Sequence, residues 1–302
     1  MQHVENAPVA IIKHVSSAQY LHDFIKWRKI IAHIPPWKQI TQTHRAGITA
    51  SFSKVQNHGE REDMETIGLI GGMSFESSAV YYRLVNEMVR DRKGGLASAE
   101  LILHSVNFEE IVALQKAGAW DMAARRLADV ALRLQIAGAG CILICTNTMH
   151  LIADEVAKKI SVPLIHIIDE TAKSLHAGGR KRPLLLATRY TMEHGFYSDR
   201  MKNLGLDIMV PDAGDRTTVH DIIFNELCAG KVLDSSRDKL MAVISRAIDN
   251  GADSIILGCT EICLILDPDH LPLPGFDTTA IHARAAVDFA LGADEIAEEE
   301  AA

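Results

Sequence analysis

The sequence predicts an α/β protein of two similar halves, each a doubly wound parallel sheet, that face one site. Three observations carry this. From Thr66 onward, short apolar runs alternate with amphipathic helical stretches, the pattern of a parallel sheet wrapped by helices. The runs are continuous rather than alternating, as strands buried on both faces must be. Third, S-I-I-L-G-C-T-E-I-C from Ser254 to Cys263 is echoed 113 residues earlier by A-G-A-G-C-I-L-I-C-T-N-T from Ala137 to Thr148. Laying Gly138 on Gly251 puts Ile142, Leu143 and Ile144 on Ile255, Ile256 and Leu257, and Thr146 on Cys259. Two strand ends then carry a hydroxyl and a thiol at matching places, at the carboxyl edge where open α/β sheets bind ligands.

Taken in order, residues 1–63 do not resemble the rest. They hold six of the fourteen histidines, two of the three tryptophans and the Pro35-Pro36 break, and are mildly basic in an acidic protein. A helix fits Ser17 to about His33, but the segment as a whole reads as a loosely held extension. Met64 directly precedes the first organised strand and reads as an alternative start.

I-G-L-I-G-G-M-S is then a first strand running into a Gly-rich turn. Ser74 is a good N-cap for a helix from Phe75 to about Asp91, with Tyr81, Leu84, Val85 and Met88 as its buried stripe. Amides at Gly71-Gly72 and the helix N-terminus suit an anion. A strand at Glu100 to Val106, a loop at Asn107-Phe108 and a helix from about Ala119 to Ile136 lead to the strand ending at Cys145-Thr146. A helix from Met149 to Lys159, a strand V-P-L-I-H-I-I and a helix from Asp169 to Ala177 follow. The second half opens with the strand Pro183 to Thr188 and a helix from Arg189. A strand at Leu206 to Val210 and helices at Val219 to Ala229 and Ser235 to Asn250 lead to Cys259. A helix from Thr279 to Leu291 closes back on the first half, and the acidic tail beyond it should fray. In domain terms, residues 64–167 with 275–302 form the first α/β domain and residues 168–274 the second.

Composition narrows the function. A net charge of −8 argues against a nucleic-acid partner, which calls for a basic stripe. No apolar stretch approaches the roughly 18 residues that cross a bilayer, and the N-terminus lacks a secretory h-region. Five cysteines, an odd number, suit a reducing cytoplasm. The C-x3-C pairs Cys141/Cys145 and Cys259/Cys263 lie in or beside apolar runs, which speaks against zinc.

A thiol at a strand end near helix amides can have a lowered pKa and act as nucleophile or base. Acyl transfer through Cys259 would need a histidine, and His150, His166 and His282 lie near strand ends. Proton transfer at a carbon would need groups on both faces, which the repeat supplies. A buried inert cysteine is the bland alternative, and the polar T-E and T-N-T-M-H after the strand ends weigh against it.

Together I-G-L-I-G-G-M-S-x-E-S, H-S-V-N-F, C-T-N-T-M-H, T-R-Y-T-M and G-C-T-E resemble the aspartate/glutamate racemase family, most of all its broad-specificity bacterial amino-acid racemase branch. The likeness covers about Glu65 to Leu291. It implies two four-stranded parallel domains related by a pseudo-twofold, with the site in the cleft. It implies racemisation of a small amino acid without pyridoxal phosphate, metal or other cofactor, by thiols on both faces of the α-carbon, in a homodimer. By resemblance Cys259 is one catalytic thiol, and Met73, Ser74, Gln115, Asn147, Thr148, Thr188, Thr191, Thr260 and Glu261 line the substrate pocket. The chain departs from most of the family in having Thr146 where the second thiol stands. Cys145, one position earlier, should point into the sheet packing by strand alternation. Thr146 then becomes the second acid/base, weaker than a thiol. An isomerase or decarboxylase of small dicarboxylates on the same scaffold, or an amino-acid binding module, are the competing readings. With an acidic protein, any preference for acidic substrates must come from local groups such as Arg83 or Arg189.

Overall fold

Two parallel sheets of three strands each form the frame. In the first, β1 (Ile67–Gly71) lies between β2 (Leu101–Ser105) and β3 (Cys141–Ile144). In the second, β5 (Ser254–Leu257) lies between β4 (Pro183–Leu186) and β6 (Gly275–Asp277). The computed structural model describes residues 64–292, and both sheets belong to one compact unit. The expectations for residues 1–63 and for the acidic tail lie outside the described residues.

Strand pairing reproduces the repeat read from the sequence. Gly140 and Asp253 donate to the carbonyls of Thr66 and Arg182 at the start of each sheet, at 2.8 and 3.1 Å. Cys145 and Gly258 donate to Ile70 and Leu186 at the other end, at 3.0 and 2.8 Å. Ile142 and Ile255 each donate to a proline carbonyl, Pro163 and Pro274, at 2.9 Å. The helices that lead into β3 and β5 are both followed by a left-handed glycine, Gly138 at φ 102° and Gly251 at φ 88°.

Helices fill the faces. α1 (Phe75–Lys93) starts at Ser74 as expected, but its deepest residues are Tyr81, Val85 and Val89, with Leu84 and Met88 half-buried. α2 (Phe108–Lys116) occupies what reads as a loop, because Asn107 caps it by accepting the Glu109 N–H. α3 (Trp120–Ile136) buries Ala123, Leu127, Val130, Ala131 and Leu134 along one stripe. Cys141, Leu143 and Cys145 point to the layer shared with α1, whereas Ile142 and Ile144 point to that of α3. Cys145 is therefore core, as alternation requires.

The two expected fourth strands are reduced to single bridges, Ile142 with Leu164 and Leu184 with Met209. Pro163 has no N–H for a ladder, and His166 stops the first run by capping α5 (Ile167–Ala177) with its Nδ1 on the Ile168 N–H.

Three expected helices are subdivided. Thr148–Ile152 is a 3-10 turn, followed by the short α4 (Ala153–Ala157). Gly195, at φ 79°, separates α6 (Arg189–Glu193) from α7 (Phe196–Asn203). The stretch expected as one helix from Val219 to Ala229 is the end of α8 (Ala213–Asp221), a π turn at Ile222–Glu226 and a 3-10 turn at Leu227–Ala229. α9 (Asp234–Asp249) leads into β5. After β6 the chain crosses back with α10 (Thr278–Ala290), whose Ala283, Ala286 and Val287 pack with Tyr81 and Val85 of α1. Among the described residues no helix is long and apolar enough to cross a membrane.

Candidate active site

The carboxyl ends of β1, β3, β4 and β5 open on one cavity. The turn after β1 depends on Gly72 at φ +86°, where a Cβ would lie 2.2 Å from the Val106 carbonyl oxygen. Met73, Ser74, Gln115, Thr146, Asn147, Thr148, Thr188, Cys259, Thr260 and Glu261 all line this cavity. Thr191 does not. It stands behind the wall, buried, its hydroxyl 3.1 Å from that of Thr148 and 3.2 Å from that of Thr188. The Thr148 and Thr188 hydroxyls are 3.1 Å apart, so the three form a closed triangle that fixes their rotamers.

Glu261 is the centre of the polar wall. Ser74 Oγ donates to its Oε1 at 2.9 Å, Ser77 Oγ to the same oxygen at 3.3 Å, and the Cys259 thiol to its Oε2 at 3.0 Å. Thr260 Oγ1 lies 2.5 Å from Ser77 Oγ. The Gly72 amide is not free for an anion, since it donates to Ser78 Oγ at 2.7 Å. The anion at the start of α1 is the protein's own Glu261 carboxylate.

This arrangement overturns the expectation of a lowered Cys259 pKa. Burial, and then the Glu261 charge and hydrogen bond, push the thiol well above its ordinary value. The backbone contribution that lowers it is smaller, because Cys259 precedes only a five-residue 3-10 turn, Thr260–Leu264. Cys259 thus rests as a thiol and an acid, and Glu261 is the group placed to receive its proton.

Thr146 is held from below. His150 Nδ1 lies 2.8 Å from the Thr146 carbonyl and its Nε2 accepts the Ile167 N–H at 3.2 Å, so Nδ1 carries the proton. His150, His166 and His282 form one buried cluster, with ring centroids 4.7 Å and 5.5 Å from that of His150. None of the three lines the cavity, which removes them as direct partners of Cys259. Asn147 Nδ2 donates to Thr278 Oγ1 at 3.0 Å, which donates on to the Leu257 carbonyl at 3.0 Å. Asn147 Oδ1 is buried with no partner among the described residues.

Several lining residues escaped the sequence reading. Ser77 follows Ser74 by one helical turn, a spacing that could have exposed it. Phe108 comes from the unforeseen α2, and Ile223 and Phe224 from the π turn, which no local pattern announces. Arg83 and Arg189 are exposed and do not line the cavity.

The Asp/Glu/Hydantoin racemase family model matches residues 70–286. The chain is 47% identical to a Yersinia pestis structure described as a candidate Asp/Glu racemase, with a TM-score of 0.72, covering 76% of this chain and all of that one. It is 32% identical to an aspartate racemase homologue from Pyrococcus horikoshii, TM-score 0.68, covering 75% of this chain and 99% of that one. It is 26% identical over 170 residues to the broad specificity amino-acid racemase RacX of Bacillus subtilis, covering 55% of this chain and 72% of that protein.

Proposed function

The chain belongs to the Asp/Glu/hydantoin racemase family, and from that premise we propose that it racemises amino acids, without a cofactor, by two-sided proton transfer at the α-carbon. The observation that carries this reading is that Cys259 and Thr146, at matching ends of β5 and β3, open into one cavity. Cys259 passes its thiol proton to Glu261 Oε2 and, as thiolate, takes the α-proton of one enantiomer. Thr146, through a water, supplies a proton to the opposite face. In this scheme Cys259 and Glu261 share one proton and one negative charge until the α-proton is taken. The pair then holds two protons while the charge sits on the substrate, and the surplus proton returns through solvent to the water that protonated the opposite face. Before that transfer, the substrate ammonium is balanced by the charge of the pair. The Thr260 hydroxyl, with those of Thr148 and Thr188 turned out of their triangle with Thr191 on binding, holds the α-carboxylate and the charge that grows on it in the transition state. All five cysteines are free, which suits a reducing cytoplasm, and we take the working form to be a homodimer.

The test is exchange of the α-proton in D2O, followed by proton NMR. Wild type should exchange the α-proton of a free amino acid, and Cys259→Ala should lose at least about 100-fold of that rate, in the range of general acid–base contributions. An unchanged melting profile would separate lost chemistry from lost fold. Exchange that survives in the variant would show that Cys259 is not the base.

A further inference from the structure

Resting on the racemase reading, we propose that the substrates are amino acids with an uncharged side chain, and that aspartate and glutamate are poor ones. The charges on the cavity wall leave no partner for a second substrate carboxylate. Among the described residues that line it there is no lysine, arginine or histidine, and the only carboxylate is Glu261. The one negative charge shared by Cys259 and Glu261 is matched by the substrate ammonium. The α-carboxylate is met by neutral hydroxyls and amides. A second carboxylate on the substrate would enter a partly dry cavity beside an existing anion and find no cation, an arrangement that buried charges do not tolerate.

The rest of the wall is suited to something apolar. Met73, Met149 and Ile223 are buried in it, and Phe108 and Phe224 are partly exposed. Gln115, a neutral polar residue deep in the wall, turns its Nε2 to the Met149 sulfur at 3.0 Å. The cations that could serve an acidic side chain lie elsewhere. Arg83 is exposed on α1, and exposed Arg189 lines a neighbouring groove with Glu193, His194 and His220. Tyr190 borders both that groove and the cavity, whereas Arg189 lines the groove alone.

The experiment measures α-proton exchange and racemisation by the full chain for both enantiomers of leucine, methionine, serine, aspartate and glutamate. Neutral substrates should exceed the acidic pair in kcat/KM on the order of 100-fold, as for a site that leaves a buried charge unpaired. Acidic substrates within about tenfold of the best neutral one would overturn the inference and leave the racemase reading standing. Exchange with no amino acid at all would remove both together. Phe224→Arg then tests the cause, because it puts a cation at a half-open wall position where the guanidinium remains hydrated. It should raise aspartate and glutamate relative to leucine. A ratio that does not move while leucine is still turned over would show that charge at this wall does not set the choice, and the proposal would fall.

Discussion

At the scale of single residues, the contrast is between Cys259 and Thr146. One side of the site has a thiol coupled to a carboxylate at 3.0 Å, and the other has a hydroxyl whose backbone carbonyl is pinned by His150. A hydroxyl is a poor base, so the two directions of the proposed reaction should differ in rate. Thr146→Cys should raise turnover most for the enantiomer deprotonated from that face, by about tenfold or more. The gain is opposed by burial, which, with the Glu261 charge, pushes the Cys228 thiol in the same cavity wall up to about 12. The short 3-10 turn after Thr148 does little to reverse it. Initial rates for each enantiomer, in wild type and variant, measure the asymmetry directly. If neither direction gains while Cys259 remains essential, the second proton comes from elsewhere in the cavity.

At the scale of elements, the site depends on turns more than on strands. Gly72→Ala would place a Cβ 2.2 Å from the Val106 oxygen at φ +86°, and Val106 also donates to the Gly71 carbonyl. It should cost at least about 2 kcal/mol. Gly230→Ala, at φ 72° and ψ 17° in the left-handed helical region with nothing within 4 Å, should cost only about 1 kcal/mol. Denaturant midpoints of the two variants decide, and equal losses would mean that the close approach does not matter. The same elements show what a sequence reveals. The central strands and the Ser74 cap were legible because apolar runs, glycines and a capping hydroxyl act locally. Leu164 and Met209 sit in runs as apolar as strands, yet each makes one bridge, because proline and a competing helix cap cut the ladder short. The π turn at Ile222–Glu226 was illegible, since tertiary packing rather than periodicity determines it, and with it went Ile223 and Phe224 of the cavity wall. Strand-end residues were readable from the repeat. The partnership of Ser74 and Ser77 with Glu261 was not, because about 185 residues separate the partners.

At the scale of the whole molecule, the buried histidine cluster sets the response to acid. Burial, then the Arg200 charge, holds His166 at about 4, and burial holds His282 at about 3. Burial, then its neighbours His166 and His282, hold His150 well below the ordinary range. Their unfolded value is near 6.5, so the unfolded chain binds the protons. Their contribution to stability is present above about pH 6.5 and is lost as pH falls towards 4. Each histidine can remove up to about 1.4 kcal/mol per pH unit in that window. Carboxylates with depressed values, such as Asp253, act below it. Denaturant midpoints from pH 7 to 5 should fall steeply, and less steeply in His150→Asn, whatever that variant's stability at pH 7. Equal slopes would remove the cluster as the cause.

Tyr81, which shares this layer, bonds His282 at 2.8 Å, and His282 reaches the Ile165 carbonyl at 2.8 Å, so α10 is tied to the first sheet by side chains. It is also tied by main chain, where Glu65 N–H meets the Ala290 carbonyl at 2.9 Å. The start of β1 and the end of α10 are therefore fastened at one corner, while the cavity lies at the opposite end of the strands. In topological terms this fastening closes a loop far from the working edge. A cut at the exposed Gly94-Gly95 turn, at the far end of α1 from the cavity, would leave that fastening closed and every residue of the site beside its present neighbour.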